Sequence, residues 1–361
     1  MPKASIVLLA SAPLLLAAVP PYFELLSTHV FLKATLVLLA AMPLLLTVVP
    51  LAQLYAGASF DPARVRGQRV LVCGASGGIG EQIAYQYARL GAHVALVARR
   101  ESELKAVAAE ARRLGAASAH AVVGDMGSSK GSRDALEASL KALNGGGGGV
   151  HQPLALDVLV LNHAVQRWGW LLPDAADLRA QAIGAPAAPW SAVALDQAVG
   201  VNLLSYVHLA VMAMPSLVRG AEGHRSRAAA SRIVVVSSGA GKLPCPKQSI
   251  YAGAKHGLHG FFDSLRLEAE HKRVPVTITT CVLGLIETAT AVSLTKDDVK
   301  LPMGQPKDAA GAIVRSAHAG AEELFWPSSQ ALHVASSLRP LPILRWLLDR
   351  VTLHMSGGQG A

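Results

Sequence analysis

From Gly67 onward the chain alternates short apolar runs with longer amphipathic ones, and this rhythm restricts the fold more than any other feature. "QRVLVCG" from Gln68 reads as a buried strand, "EQIAYQYARLG" from Glu81 as a helix stopped by Gly91, and "HVALVAR" from His93 as the next strand. "ESELKAVAAEARRLG" from Glu101 is a second helix, followed by strands at "AHAVVGDM" (Ala119) and "LDVLVLNHA" (Leu156). A helix at "LDQAVGVNLLSYVHLAVMAMPSLV" (Leu195), a strand at "SRIVVVSSG" (Ser231), a helix through Tyr251 and a strand at "PVTITTCVLG" (Pro275) continue the pattern. Parallel strands need a crossover between them, and the helices supply it, so the reading is an α/β, doubly wound parallel sheet.

Nothing marks a second soluble domain. Three stretches rich in Gly, Ala and Pro, from Asn144, Asp174 and Gly220, read as surface insertions. The organisation expected is an anchor over residues 1–60, a catalytic domain over 61–330 and a C-terminal amphipathic helix and tail over 331–361.

The anchor rests on two runs without a charged side chain, residues 4–23 and 34–60, each long enough to cross about 30 Å of hydrocarbon. They are copies of one another: 18-residue segments starting at Lys3 and Lys33 match at 12 positions. A single run would suit a signal peptide, whereas a second, longer one argues for a retained anchor. Arg64, Arg66 and Arg69 after the second run favour a hairpin with both ends cytosolic. Pro13 and Pro43 also suit a re-entrant or monolayer hairpin, and the two readings stay open. At the other end, "LPILRWLLDRVTLHM" from Leu341 has its charges to one side and either packs on the domain or dips into the membrane interface.

A net charge of +9 raises nucleic acid as a partner, but no Lys/Arg block with interleaved aromatics is present, and attraction to anionic head groups is the better use of that charge. Three widely spaced cysteines, Cys73, Cys245 and Cys281, give neither a disulfide framework nor a metal knuckle, and no metal is expected.

"CGASGGIGE" from Cys73 lies between a strand and a helix. Gly74, Gly78 and Gly80 let the backbone turn tightly and approach a pyrophosphate, whose charge a helix N-terminus favours; Ser76 and Ile79 belong to the same turn. The second strand ends "VARR", where an NAD-selective site would offer a carboxylate to the ribose. Ala98 removes it, and Arg99 with Arg100 offers positive charge to a 2'-phosphate, favouring NADP(H).

"SIYAGAKHG" from Ser249 puts Tyr251 and Lys255 one helical turn apart on the same face. An ammonium beside a phenol favours phenolate, so Lys255 is expected to lower the tyrosine pKa.

With these motifs in order, the chain resembles the short-chain dehydrogenase/reductases over residues 67–330, with a Rossmann-type fold. The resemblance rests on Gly74 to Gly80, "NHA" at Asn162, Asn202 in "VNLLSYV", Ser238 in "VVVSSGAGK" 13 residues before Tyr251, and Tyr251 with Lys255. "NLLSYV", "GFFDSLRLE" and "CVLGLIET" are similar to the 11-beta-hydroxysteroid dehydrogenase type 1 group, while "GEQIAYQYA" is similar to the plant steroleosins of lipid droplets.

The resemblance implies that Tyr251 is the general acid/base, that Lys255 tunes it and binds the cofactor ribose, and that Ser238 holds the substrate oxygen. It further implies that Asn202 anchors a proton-relay water, and that Asp125, Met126 and Asn162 lie near adenine and ribose. Ile286 would present its backbone to the nicotinamide carboxamide, and Thr288 would bond the cofactor. Leu283 stands where the family has proline, and Gly77 where the steroid enzyme has a basic residue, so NADP(H) preference falls to Arg99 and Arg100.

The function so implied is a membrane-anchored NADP(H)-dependent oxidoreductase interconverting a ketone and a secondary alcohol on a lipophilic, hydroxysteroid-like substrate. A homodimer in the endoplasmic reticulum membrane goes with it. Reduction of another lipid carbonyl (3-ketoacyl, 3-ketosphinganine or retinal), a lipid-droplet location, or a structural droplet protein with a vestigial dehydrogenase domain are the alternatives.

Overall fold

The computed structural model describes residues 60–145, 154–172, 192–222, 230–295 and 303–327. The expected anchor through residue 59, the Asp174 insertion and the C-terminal helix lie outside the described residues.

Seven strands form one sheet in the order β3-β2-β1-β4-β5-β6-β7. They are β1 (Arg69–Cys73), β2 (His93–Ala98), β3 (Ser118–Val123), β4 (Val158–Leu161), β5 (Ser231–Ser238), β6 (Val276–Leu283) and β7 (Glu323–Trp326). Every pairing is parallel, with Arg69 opposite His93, Val70 opposite Val158 and Ser238 opposite Leu283. The doubly wound parallel sheet expected from the alternation is the one observed. The edge strand β7 was not anticipated: "ELFW" is four residues long and sits beyond a helix-rich stretch, too short to announce itself by period.

The helices are α1 (Gly78–Arg89), α2 (Glu101–Arg113), α3 (Ser129–Leu143), α4 (Ala192–Val199), α5 (Ser205–Ala221), α6 (Ser249–His271), α7 (Ala289–Thr295) and α8 (Pro306–His318). Strand side chains alternate between faces, which divides the core in two. Val70, Val72, Val94, Leu96, Val158 and Val160 face Ile83 and Tyr87 of α1, Leu104 of α2 and Ile313 of α8. Leu71, Cys73, Val97, Leu159 and Leu161 face Leu136 of α3, Leu209 of α5 and Leu258 and Phe262 of α6. Strands apolar on both faces follow from helices on both sides.

Sequence period reads Leu195 to Val218 as one helix, but between α4 and α5 the chain makes a π-type turn over Gly200–Leu204. The extra residue interrupts regular i to i+4 bonding and carries Asn202, fully buried, inward. Together these pieces span Ala192–Ala221, long and apolar enough by length and composition to cross a bilayer; half of the apolar window is buried inside the domain.

At the N-terminal edge of the sheet Asp157 takes the Arg69 backbone N–H at 2.7 Å, its Nε at 2.8 Å and its Nη2 at 3.0 Å. Asp157 is buried, while Arg69 is partly open to solvent. Asp157→Ala is expected to lower unfolding free energy by about 2 kcal/mol in a denaturant titration, since a charged hydrogen-bonded acceptor is lost but one donor can rehydrate. Cofactor affinity should hold, because the pair lies at the end of the sheet away from the glycine turn.

Candidate active site

In doubly wound sheets ligands bind beyond the carboxyl ends of the strands, where the strand order reverses. Here that point lies between β1 and β4, and the chain leaving β1 makes the glycine turn there. Gly74 has φ +79, and a Cβ on it would sit 2.6 Å from His163 Cα. A Cβ on Gly80 would lie 2.1 Å from the Gly74 carbonyl oxygen and 2.5 Å from Asn162 Nδ2. Gly78 has φ +61 and faces the Thr288 side chain. The result is a bare backbone turn opening the N-terminus of α1, and a pyrophosphate fits that cradle. Ile79, in the first turn of α1, packs against the apolar core.

Asn162 is beside this turn, as the resemblance implies, but its Nδ2 donates to the Gly74 carbonyl at 3.0 Å and so braces the loop. Arg100 reaches back over the turn: its Nη2 donates to the Ser76 carbonyl at 3.0 Å and Ser76 Oγ at 3.1 Å, and lies 3.2 Å from where a Gly77 Cβ would be. A basic residue is thus brought to the loop that Gly77 left uncharged. Arg99, its neighbour, is exposed. Asp125, past β3, accepts from the Gly127 N–H at 3.1 Å.

Met126 is a correction, because its side chain is buried in the core and its carbonyl accepts from Ser132 Oγ at 3.4 Å. A position implied by family alignment is here a packing residue, since the chain turns inward as α3 begins.

Past β6, Leu285 and Glu287 bond Gly304, with Gly304 N to Leu285 O at 2.9 Å and Glu287 N to Gly304 O at 2.9 Å. That bridge turns the backbone of Ile286 the other way, its carbonyl accepting from Thr288 N at 2.8 Å. Thr288 Oγ1 accepts the Ala291 N–H at 3.1 Å and caps α7, with its methyl against Gly78.

The second half of the site comes from β5 and α6. Tyr251 and Lys255 both face inward, 8% and 2% exposed. The Tyr251 hydroxyl hydrogen-bonds Ser238 and Gln166. Lys255 Nζ donates to the Val236 carbonyl at 2.9 Å and to the Tyr206 hydroxyl at 3.4 Å, and lies 4.8 Å from the Tyr206 ring and 5.6 Å from the Tyr251 ring. A hollow lined by Val165, Arg167, Ala198, Gln248, Ile250 and Tyr251 opens beside the phenol.

The expected fall in the tyrosine pKa is not what this environment produces in the chain alone. Burial raises Tyr251, opposed by the bonds to Gln166 and Ser238, while burial pushes Lys255 down to about 7. Both groups are desolvated, and desolvation disfavours phenolate and ammonium alike. A partner that solvates the ammonium would restore the lysine's influence.

Asn202 does not offer its side chain to a water. Its Oδ1 accepts from Val165 N at 3.0 Å and its Nδ2 donates to Val165 O at 2.8 Å, clamping the strand that leaves β4. Any relay water would have to use its backbone.

Three contributors were not singled out from sequence. Tyr206, four residues after Asn202, donates to the His163 carbonyl at 2.7 Å and backs Lys255. Gln166 is signalled only by its distance from "NHA". His163 is buried, 2.6 Å from Ser205 Oγ through Nε2. Because Ser205 Oγ donates to Val201 O at 2.7 Å, the imidazole Nε2 carries the hydrogen. Burial, with Lys255 nearby, lowers its pKa to about 3, so it stays neutral and structural.

A glycine turn at the switch point, with a buried Ser, Tyr and Lys beside it, defines a Rossmann-type, dinucleotide-dependent oxidoreductase. Residues 68–299 match the model of the short chain dehydrogenase family, and the chain belongs to that family. It acts on CH–OH donors, and the family cofactor is NAD(P).

The chain is 38% identical over 271 residues to a hydroxysteroid 11-beta-dehydrogenase 1-like protein of Xenopus tropicalis, covering 74% of this chain and 82% of that one. It is 37% identical over 280 residues to the Gallus gallus protein of the same name, with 74% and 82% covered. A crystal structure of a putative short-chain alcohol dehydrogenase from Sinorhizobium meliloti superposes with a TM-score of 0.57 at 21% identity, covering 74% of this chain and 97% of that one.

Proposed function

We propose that this chain interconverts a ketone and a secondary alcohol on a lipophilic, hydroxysteroid-like substrate using NADP(H), at a membrane. The observation that carries it is the Tyr251 hydroxyl bonded to Ser238 above a buried Lys255. The bound cofactor supplies or accepts the hydride. Tyr251 gives a proton to the carbonyl oxygen, or takes it in reverse, and Ser238 donates a hydrogen bond to the charge growing on that oxygen. Lys255, fixed by Val236 and Tyr206, supplies the positive field, and cofactor ribose hydroxyls would return some of the solvation that burial removes.

Support for a lipophilic substrate comes from the apolar members of the hollow, Val165, Ala198 and Ile250, and from the names of the two relatives. The charge-free runs before residue 61 support membrane attachment, in the endoplasmic reticulum, with a lipid droplet as the other location consistent with the steroleosin likeness. A homodimer across α6 is supported by the open space beside Gly253 and Gly260.

The test is NADPH oxidation by the detergent-solubilised chain against an 11-ketosteroid beside 3-ketoacyl, 3-ketosphinganine and retinal substrates. Preference for the steroid supports the proposal, and preference for another member reassigns the substrate. Support for NADP(H) comes from Arg100 on the glycine turn. Arg100→Ala is therefore expected to raise KM for NADPH about 10- to 100-fold while leaving KM for NADH nearly unchanged, since a charge-assisted phosphate contact contributes about 1.5–3 kcal/mol.

A further inference from the structure

Three residues of α6 at a spacing of four, Tyr251, Lys255 and His259, meet three consecutive residues of β5. Tyr251 bonds Ser238, Lys255 Nζ bonds the Val236 carbonyl at 2.9 Å, and His259 Nε2 lies 3.0 Å from Ser237 Oγ. The first two contacts belong to the chemistry proposed above, and the third does not. His259 is 6% exposed, and its other nitrogen, Nδ1, is 3.4 Å from Glu323 Oε1 at the start of β7. Glu323 also pairs with Lys242 at 2.7 Å, in the turn that follows Ser238. Burial pushes Glu323 up, but bonds to His259 and Lys242 outweigh it and hold the carboxylate at about 2.

A serine, a histidine and a glutamate in that order have the connectivity of a nucleophile, a base and its orienting acid. Attack is excluded by geometry: Ser237 is 3% exposed, and its hydroxyl is turned to the imidazole inside the fold. What the cluster does touch is the turn carrying the catalytic serine. Gly241 is packed so closely that a Cβ there would lie 2.9 Å from His259 Nε2 and 3.0 Å from the Lys255 carbonyl. Gly239 accepts from Lys242 N and Leu243 N, both at 3.0 Å, and Ser238 Oγ accepts from Ala240 N at 3.2 Å.

We propose that Ser237, His259 and Glu323 are positioning residues that key α6 to β5 and so set the separation of Ser238 from Tyr251. A helix can slide or roll on a sheet by a fraction of an ångström with little change in apolar burial, whereas hydrogen bonds at both imidazole nitrogens allow one register. Small misplacements of reacting groups are enough to lower a rate about 100-fold. The inference rests on the proposed roles of Ser238 and Tyr251.

The experiment compares kcat and KM for Ser237→Ala, Ser237→Thr, His259→Leu, Ser238→Ala and the pair His259→Leu with Ser238→Ala. Expected are a drop in kcat of about 10-fold or more for Ser237→Ala and His259→Leu, an unchanged KM for NADPH, and recovery in Ser237→Thr. On the Ser238→Ala background His259→Leu should add no further loss, because the group it positions is gone. Wild-type kcat in the single variants, or losses that multiply in the pair, overturn the proposal. If His259→Leu does not fold, Ser237→Ala, which removes one hydroxyl, decides alone.

If the parent chain reduces no carbonyl in the panel, it is the proposed function that fails. The keying is then read by hydrogen exchange of the NADPH-bound protein over residues 239–243. Faster exchange in Ser237→Ala supports it, and unchanged exchange refutes it.

Discussion

Tyr251→Phe is expected to lower kcat at least about 10³-fold while the NADPH-induced rise in melting temperature stays within a degree or two of wild type. The substitution removes one oxygen and leaves the ring, which packs with Ala240, Ala252 and Cys245, where it was. No fold contact is lost with the hydroxyl except its bonds to Ser238 and Gln166, and both partners face the hollow side of the site. The variant therefore separates chemistry from binding. A kcat within 10-fold of wild type would remove Tyr251 from the role of acid.

The second large effect is Gly80→Ala. Its methyl would meet the Gly74 carbonyl oxygen at 2.1 Å and Asn162 Nδ2 at 2.5 Å, and neither group can move alone, because Asn162 holds Gly74 at 3.0 Å. The turn must open, α1 must shift against β1, or both. Overpacking of this kind lowers stability by about 3 kcal/mol, or about 6–12 °C in a domain of this size. Cofactor affinity should fall further than stability, since the same atoms form the pyrophosphate cradle. NADPH binding by fluorescence titration together with a thermal melt checks both, and intact affinity in a folded variant would show that the cradle lies elsewhere.

Much of the fold was legible because it is written in periods. Aliphatic runs such as "RVLVC" and "RIVVV" are strands apolar on both faces, which only a sheet covered on both sides allows. Ser238, Tyr251 and Lys255 were legible because chemistry fixes their spacing, and the structure brings them together. The π turn at Gly200–Leu204 was not, since it changes the hydrogen-bond partners of a helix without changing its apolar composition. Met126 was misread because a short loop can satisfy an alignment and still turn its side chain into the core. Tyr206, Gln166 and His259 act through contacts distant in sequence, 49 residues separating Tyr206 from Lys255, and no local pattern announces them.

The double bond from Asn202 to Val165 has a consequence for how such a site diversifies. Val165 is the last residue before the segment that borders the hollow, and both of its peptide groups are held by a side chain of the helix behind it. Sequence beyond that point can lengthen, shorten or change polarity while its starting point stays pinned. Selectivity can thus drift independently of the proton chemistry, as a tool changes its bit while the chuck keeps its grip.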